Sequence, residues 1–109
     1  MKTFTMFGSS DCYFAREGYI YGGGLAIEIH SLREGPIAKL TTNIVPLPKP
    51  YAFLDTNNCP GAEELVVRLG IAKDRGARVR SGFCVYPLYE FDLKKLEEYV
   101  MEEEEEEEE

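Results

Sequence analysis

Hydrophobic and polar positions alternate cleanly along the first half of the chain. Lys2–Phe7 places Phe4 and Met6 on one face and Thr3 and Thr5 on the other, the two-residue period of a half-buried strand. Gly8-Ser9-Ser10-Asp11 reads as a turn, and the Tyr- and Phe-rich run Cys12–Tyr21 as a second strand that breaks near Gly18. Gly22-Gly23-Gly24 is a flexible turn without the following Lys-Ser/Thr of a phosphate loop. Leu25–Ser31 gives the clearest alternation, with Leu25, Ile27 and Ile29 pointing inward and Ala26, Glu28 and His30 outward. Across Leu32–Pro36, a hairpin connection, the chain returns as a strand over Ile37–Ile44. Pro46, Pro48 and Pro50 then occupy every second position, and because proline has no N–H to give to a ladder, this stretch is an extended loop.

The period changes after Pro60. Ala62, Leu65, Val66 and Leu69 recur at i, i+3, i+4 and i+7, which predicts a helix over Pro60–Leu69. Glu63 and Glu64 favour its N-terminal dipole, and Gly70 suits the left-handed residue that ends it, with Ile71 folding back onto Val66. Lys73–Ser81 is polar and basic and reads as a mobile loop. Strand character resumes over Gly82–Phe91, with Pro87 marking an edge or a bend, and Asp92 caps a last helix carrying Leu93, Leu96, Tyr99 and Val100 inward. The order predicts a single α+β domain over residues 1–101, a mainly antiparallel sheet of about five strands with two helices. The expected core is Leu25, Ile27, Ile29, Leu40, Leu65, Val66, Leu69, Phe83, Val85, Leu93 and Leu96.

Composition changes this picture in one respect. Of 20 acidic residues, eight are the consecutive glutamates at 102–109, so the formal net charge of −8 resides in that tail and the rest of the chain is neutral. A neutral body is not the basic surface of an ordinary nucleic-acid-binding module, and no direct nucleic-acid binding is expected of the full chain. Self-repulsion and an opposed helix dipole predict that the tail is disordered. It would act as a solvated segment, as a mask for basic residues of the same chain, or as a nucleic-acid mimic. The N-terminus lacks a signal-peptide h-region, and no run reaches the ~20 apolar residues of a membrane span. Three cysteines without a C-x-x-C pair fit reduced thiols in a cytoplasmic protein, with no metal and no cofactor expected.

Two places could hold function. Arg68, Lys73, Arg75, Arg78 and Arg80 form the one basic cluster, with Tyr86 and Tyr89 close by. A cluster of this kind, with exposed tyrosines, reads as a contact surface for a protein partner. In Asp55-Thr56-Asn57-Asn58-Cys59-Pro60, Cys59 stands at the entrance to a helix, where the dipole and unpaired N–H groups lower a thiol's pKa. Cys59, His30 and Asn57 or Asn58 could then make a cysteine hydrolase. Against that, the two asparagines serve equally as turn and capping residues and Cys59 as a small buried hydrophobe.

Phe53–Pro60 with Glu63-Glu64 after it, and Ser81–Tyr89, resemble signature segments of a domain-of-unknown-function family of small proteins. Its members come from conjugative elements, phages and chromosomes of gut Firmicutes and their relatives. Leu25–Ile44 and Gly70-Ile71-Ala72 fit the same pattern, so the resemblance covers roughly residues 2–91, without the glutamate tail. It implies a bacterial cytoplasmic accessory protein of a mobile element and brings no catalytic residue with it.

Overall fold

The computed structural model describes residues 1–18 and 24–101. The expected end of the second strand at Tyr19–Tyr21, the turn at Gly22-Gly23 and the tail at 102–109 lie outside the described residues. Among the described residues, eight strands form two four-stranded antiparallel sheets, in place of the single sheet of about five strands, and two helices accompany them. The first sheet holds β1 (Phe4–Met6), β2 (Ser9–Gly18), β3 (Leu25–Ser31) and β4 (Gly35–Lys39) in that order. The second has the order β5-β6-β8-β7, from β5 (Thr41–Thr42), β6 (Tyr51–Leu54), β7 (Ala72–Ser81) and β8 (Cys84–Phe91).

In the first sheet the alternation holds. Leu25, Ile27 and Ile29 are buried, and β3 pairs with β2 from Leu25↔Gly18 to Ser31↔Cys12. The turn after β1 begins at Phe7, so β2 starts at Ser9, inside the stretch that reads as a turn in sequence. Asp11 fixes the β3–β4 turn from a neighbouring strand: its carboxylate accepts from Ser31 Oγ and from the Arg33 amide, both at 3.0 Å.

The single strand expected over Ile37–Ile44 divides at Leu40. Lys39 is the last residue of β4, and Thr41 opens β5 in the other sheet. Leu40 joins the two: its N–H donates to the Ile27 carbonyl at 2.9 Å and its carbonyl accepts from the Asp55 N–H at 2.8 Å. The Thr41 hydroxyl also accepts from the Ile27 amide at 3.0 Å. Consecutive residues Leu40 and Thr41 are both buried, a local loss of the two-residue period that accompanies the change of sheet.

α1 spans Ala62–Leu69, two residues later than its expected start at Pro60. Asp55 explains the delay. Its carboxylate accepts from the backbone and side-chain nitrogens of Asn58, and its carbonyl accepts from the Cys59 N–H at 2.7 Å, forming a side-chain-stabilised turn before the helix. The helix ends at Gly70, whose φ of 72° only glycine adopts readily. The Ile71 N–H bonds back to the Val66 carbonyl at 3.0 Å, and both side chains are buried. α2 (Leu93–Glu97) is capped by Asp92, which accepts from the Lys95 N–H at 3.2 Å. The chain beyond α2 returns to the first sheet, where the Phe14 N–H donates to the Tyr99 carbonyl at 2.8 Å. Both sheets and both helices contribute to one hydrophobic cluster, with Leu69, Leu93 and Tyr99 packed at its margin.

Two expectations fail in the second sheet. Lys73–Ser81 is not a loop but most of β7, an edge strand exposed along nearly its whole length. With water on both faces nothing selects an apolar alternation, and lysine and arginine on an edge discourage pairing with another chain. Pro87 lies in β8, which has neighbours on both sides. The strand tolerates it because the β6 register ends at Phe53↔Leu88, while β7 carries a bulge between Asp74↔Tyr89 and Arg78↔Pro87.

Candidate interaction arm

β7 and β8 form an antiparallel hairpin closed by Gly82-Phe83 between the paired residues Ser81 and Cys84. Gly82 has φ 63°, the positive angle that the first position of a tight two-residue hairpin turn requires. The turn leaves Phe83 with a relative exposure of 102%, and Val85 is 45% exposed. Both were expected in the core. The buried positions of β8 are Tyr86, Pro87, Tyr89 and Phe91. Phe83 and Val85 alternate like core residues, but they sit at the distal end of the arm and lie outside the hydrophobic cluster.

The base of the arm is latched to α1 through Arg78. Its guanidinium makes a fork on Asp74, Nη1 to Oδ1 at 3.0 Å and Nη2 to Oδ2 at 2.9 Å, and lies 3.8 Å from Glu63. Asp74 also accepts from the Gly76 amide at 2.8 Å, which closes the bulge. The Arg78 hydrogen bond and then the Gly76 amide hold the Asp74 carboxyl at about 2, well below its ordinary value. The Tyr89 hydroxyl donates to Glu63 at 2.7 Å, and burial followed by this hydrogen bond raises the phenol's pKa.

The other cations divide into two groups. Arg75 pairs with Glu90 at 3.5 Å, and Arg68 pairs with Glu64 at 3.1 Å while donating to the Thr5 carbonyl at 3.0 Å. Lys73 and Arg80 are exposed and form no ion pair among the described residues. The five cations therefore stand among four carboxylates, Glu63, Glu64, Asp74 and Glu90, and the cluster is close to neutral. Such a surface attracts a polyanion weakly. The nearby tyrosines change role as well. Tyr86 is 9% exposed and Tyr89 3%, so neither presents a ring to a partner, whereas Phe83 does. The dipeptide Gly82-Phe83 was the available signal, since glycine followed by any residue between two strands marks this turn and exposes its second member.

The residues considered for cysteine chemistry are not assembled into a catalytic group. Cys59 is fully buried in the turn before α1, and burial, followed by the charge of Asp55, pushes its thiol up to about 11. That is the reverse of an activated nucleophile. The Asn58 side chain is engaged by Asp55 and Asn57 is exposed. His30, on β3, has Nε2 2.9 Å from Glu28 Oε1 and its ring 5.6 Å from that of Tyr13, and no hydrogen bond joins it to Cys59 among the described residues. No cluster of three metal-ligating side chains occurs among the described residues, and none of their helices is long and apolar enough to cross a membrane.

No curated protein and no solved structure matches the chain. Residues 15–109 match DUF4313, a domain of unknown function. The match leaves out β1 and covers the Asp55–Pro60 turn, α1 and the whole β7–β8 arm. It also runs through the final glutamates, which the sequence resemblance did not include. The chain therefore belongs to the DUF4313 family, and the arm lies wholly inside the part that defines the membership.

Proposed function

We propose that the chain is a small binding module, a cytoplasmic accessory protein of a bacterial mobile element, that contacts a protein partner through the tip of the β7–β8 arm. The observation that carries this reading is the complete exposure of Phe83 beside Val85 at the end of a hydrogen-bonded hairpin. Leaving a phenylalanine in water forgoes ~1.5–3 kcal/mol of burial, and a rigid hairpin can recover that in a partner's pocket at little cost in entropy. Arg68, Arg75 and Arg78 are engaged by carboxylates of the same chain and do not form this contact. Bacterial origin and the mobile element rest on the sequence resemblance of Phe53–Pro60 and Ser81–Tyr89.

Phe83→Ser tests the reading. Capture experiments from a Firmicute host carrying conjugative elements should compare the full chain with this variant, each labelled in parallel. The variant should keep the wild-type stability within ~0.5 kcal/mol, because an exposed side chain is being replaced. The protein that wild type enriches should disappear from its capture. Equal enrichment by both chains would remove the arm tip as the contact.

A further inference from the structure

We infer that the surface receiving the arm is an apolar pocket on a different protein, rimmed by carboxylates, with Phe83 filling the pocket and Arg80 pairing with the rim. This rests on the arm-tip reading and adds to it the chemistry of the partner. In β7–β8, Arg80 pairs in register with Val85, and directly paired residues of an antiparallel ladder project from the same face. The tip therefore presents an aromatic ring, a branched aliphatic side chain and a guanidinium together. Arg78 and Arg75, nearer the body, are engaged by Asp74, Glu63 and Glu90. Arg80, nearest the tip, has no carboxylate of its own among the described residues. An aromatic anchor beside an arginine is the composition of an interface hot spot, and an unmatched guanidinium selects a partner by charge as well as by shape.

Two cavities of the chain itself fit this description poorly, which speaks against a second copy as the partner. The cavity between Leu25, Val45, Pro46, Leu47, Tyr51 and Phe53, which Thr42 and Asn43 also line, encloses only about 10 Å³. A buried cavity that admits benzene is on the order of 150 Å³. The larger cleft, about 290 Å³, is lined by Gly70, Ala72, Lys73, Glu90 and Asp92. It has no large apolar wall, its Lys73 repels Arg80, and its Glu90 is engaged by Arg75. An anionic membrane or a nucleic acid fits poorly as well, since the arm and its base carry nearly balanced charge and the full chain has a formal net charge of −8.

The test places the photoreactive residue p-benzoylphenylalanine at position 83 of the full chain, irradiates host cells and sequences the cross-linked product. The partner so defined is then purified and its affinity measured. The expected product is a peptide of another protein with Asp or Glu beside the cross-linked apolar positions. Phe83→Ser should weaken binding at least ~30-fold. Arg80→Glu should weaken it at least ~10-fold, and lysine in place of the partner's rim carboxylate should restore that variant selectively. Cross-linking to lipid, nucleic acid or another copy of the chain, or the absence of any product, overturns the inference. So does a partner whose affinity ignores Arg80→Glu. A partner that binds Phe83→Ser as tightly as wild type overturns the arm-tip reading itself.

Discussion

Phe14→Ala is expected to lower the stability of the chain by ~3–5 kcal/mol, with a matching fall in its urea midpoint. Domains of this size have stabilities of ~5–15 kcal/mol, so one truncation can consume most of what holds the fold. Phe14 is chosen because three parts of the structure meet there. It is fully buried in the middle of β2, opposite Ile29 of β3. Its ring lies 4.6 Å from that of Phe4 on β1 and 6.2 Å from that of Tyr99 beyond α2. Its backbone bridges to Val100 and donates to the Tyr99 carbonyl. Removing the ring opens a cavity between β1, the body of the first sheet and the returning C-terminal segment. What remains there is the backbone hydrogen bond from the Lys2 N–H to the Glu98 carbonyl, the Phe4–Tyr99 ring contact and the solvent-screened ion pairs Lys2–Glu98 and Arg16–Glu97. Urea titration followed by circular dichroism reads the outcome. Phe83→Ala is the control: the same chemical truncation at a fully exposed position should leave the midpoint nearly unchanged. Similar losses at the two positions would mean that the arm tip is packed, not free.

The contrast between these two phenylalanines shows what alternation can and cannot reveal. A two-residue period identifies which residues of a strand share a face, but not whether anything covers that face. For Leu25, Ile27 and Ile29 the inference holds because that face of the strand packs into the hydrophobic cluster. For Phe83 and Val85 the same period led outward, because the hairpin carries them to its tip, where no packing element meets them. β7 was illegible for a related reason: a strand exposed on both faces has no period to read. β6, only Tyr51–Leu54, was a short apolar run between a proline-rich loop and a turn, too brief to distinguish from loop. The helix stop at Gly70 and the cap at Asp92 were legible because they depend on one or two adjacent residues. The neutralisation of the basic cluster was legible only in part: Arg68–Glu64 and Arg78–Asp74 are pairs four residues apart, whereas Arg75 meets Glu90 from the neighbouring strand and Arg78 meets Glu63 from α1.

Thiol labelling should separate Cys84 from Cys59 by several orders of magnitude. Cys84 is half-buried near the arm tip, whereas Cys59 and Cys12 are fully buried. Alkylation proceeds through the thiolate. Burial raises Cys59 from 9.0 to about 11, so at pH 8 its thiolate fraction is ~100-fold lower than that of an ordinary thiol, before access is considered. Access adds a larger factor, because the Asp55–Asn58 turn and α1 must open before a reagent arrives. The same shift sets a pH dependence. A folded-state pKa above the unfolded one favours the neutral thiol in the native state. Its contribution to stability is therefore complete below pH 9 and is lost as pH rises through about 11. Iodoacetamide labelling read by mass spectrometry should give modification at Cys84 first, with Cys59 following at the rate of opening, and similar rates for all three thiols in denaturant. If Cys59 in the native protein reacted as fast as Cys84, the turn would be open to solvent and its thiol would again be a candidate nucleophile. Slow labelling, accelerated only by denaturant and by alkaline pH, would fix Cys59 as a packing residue.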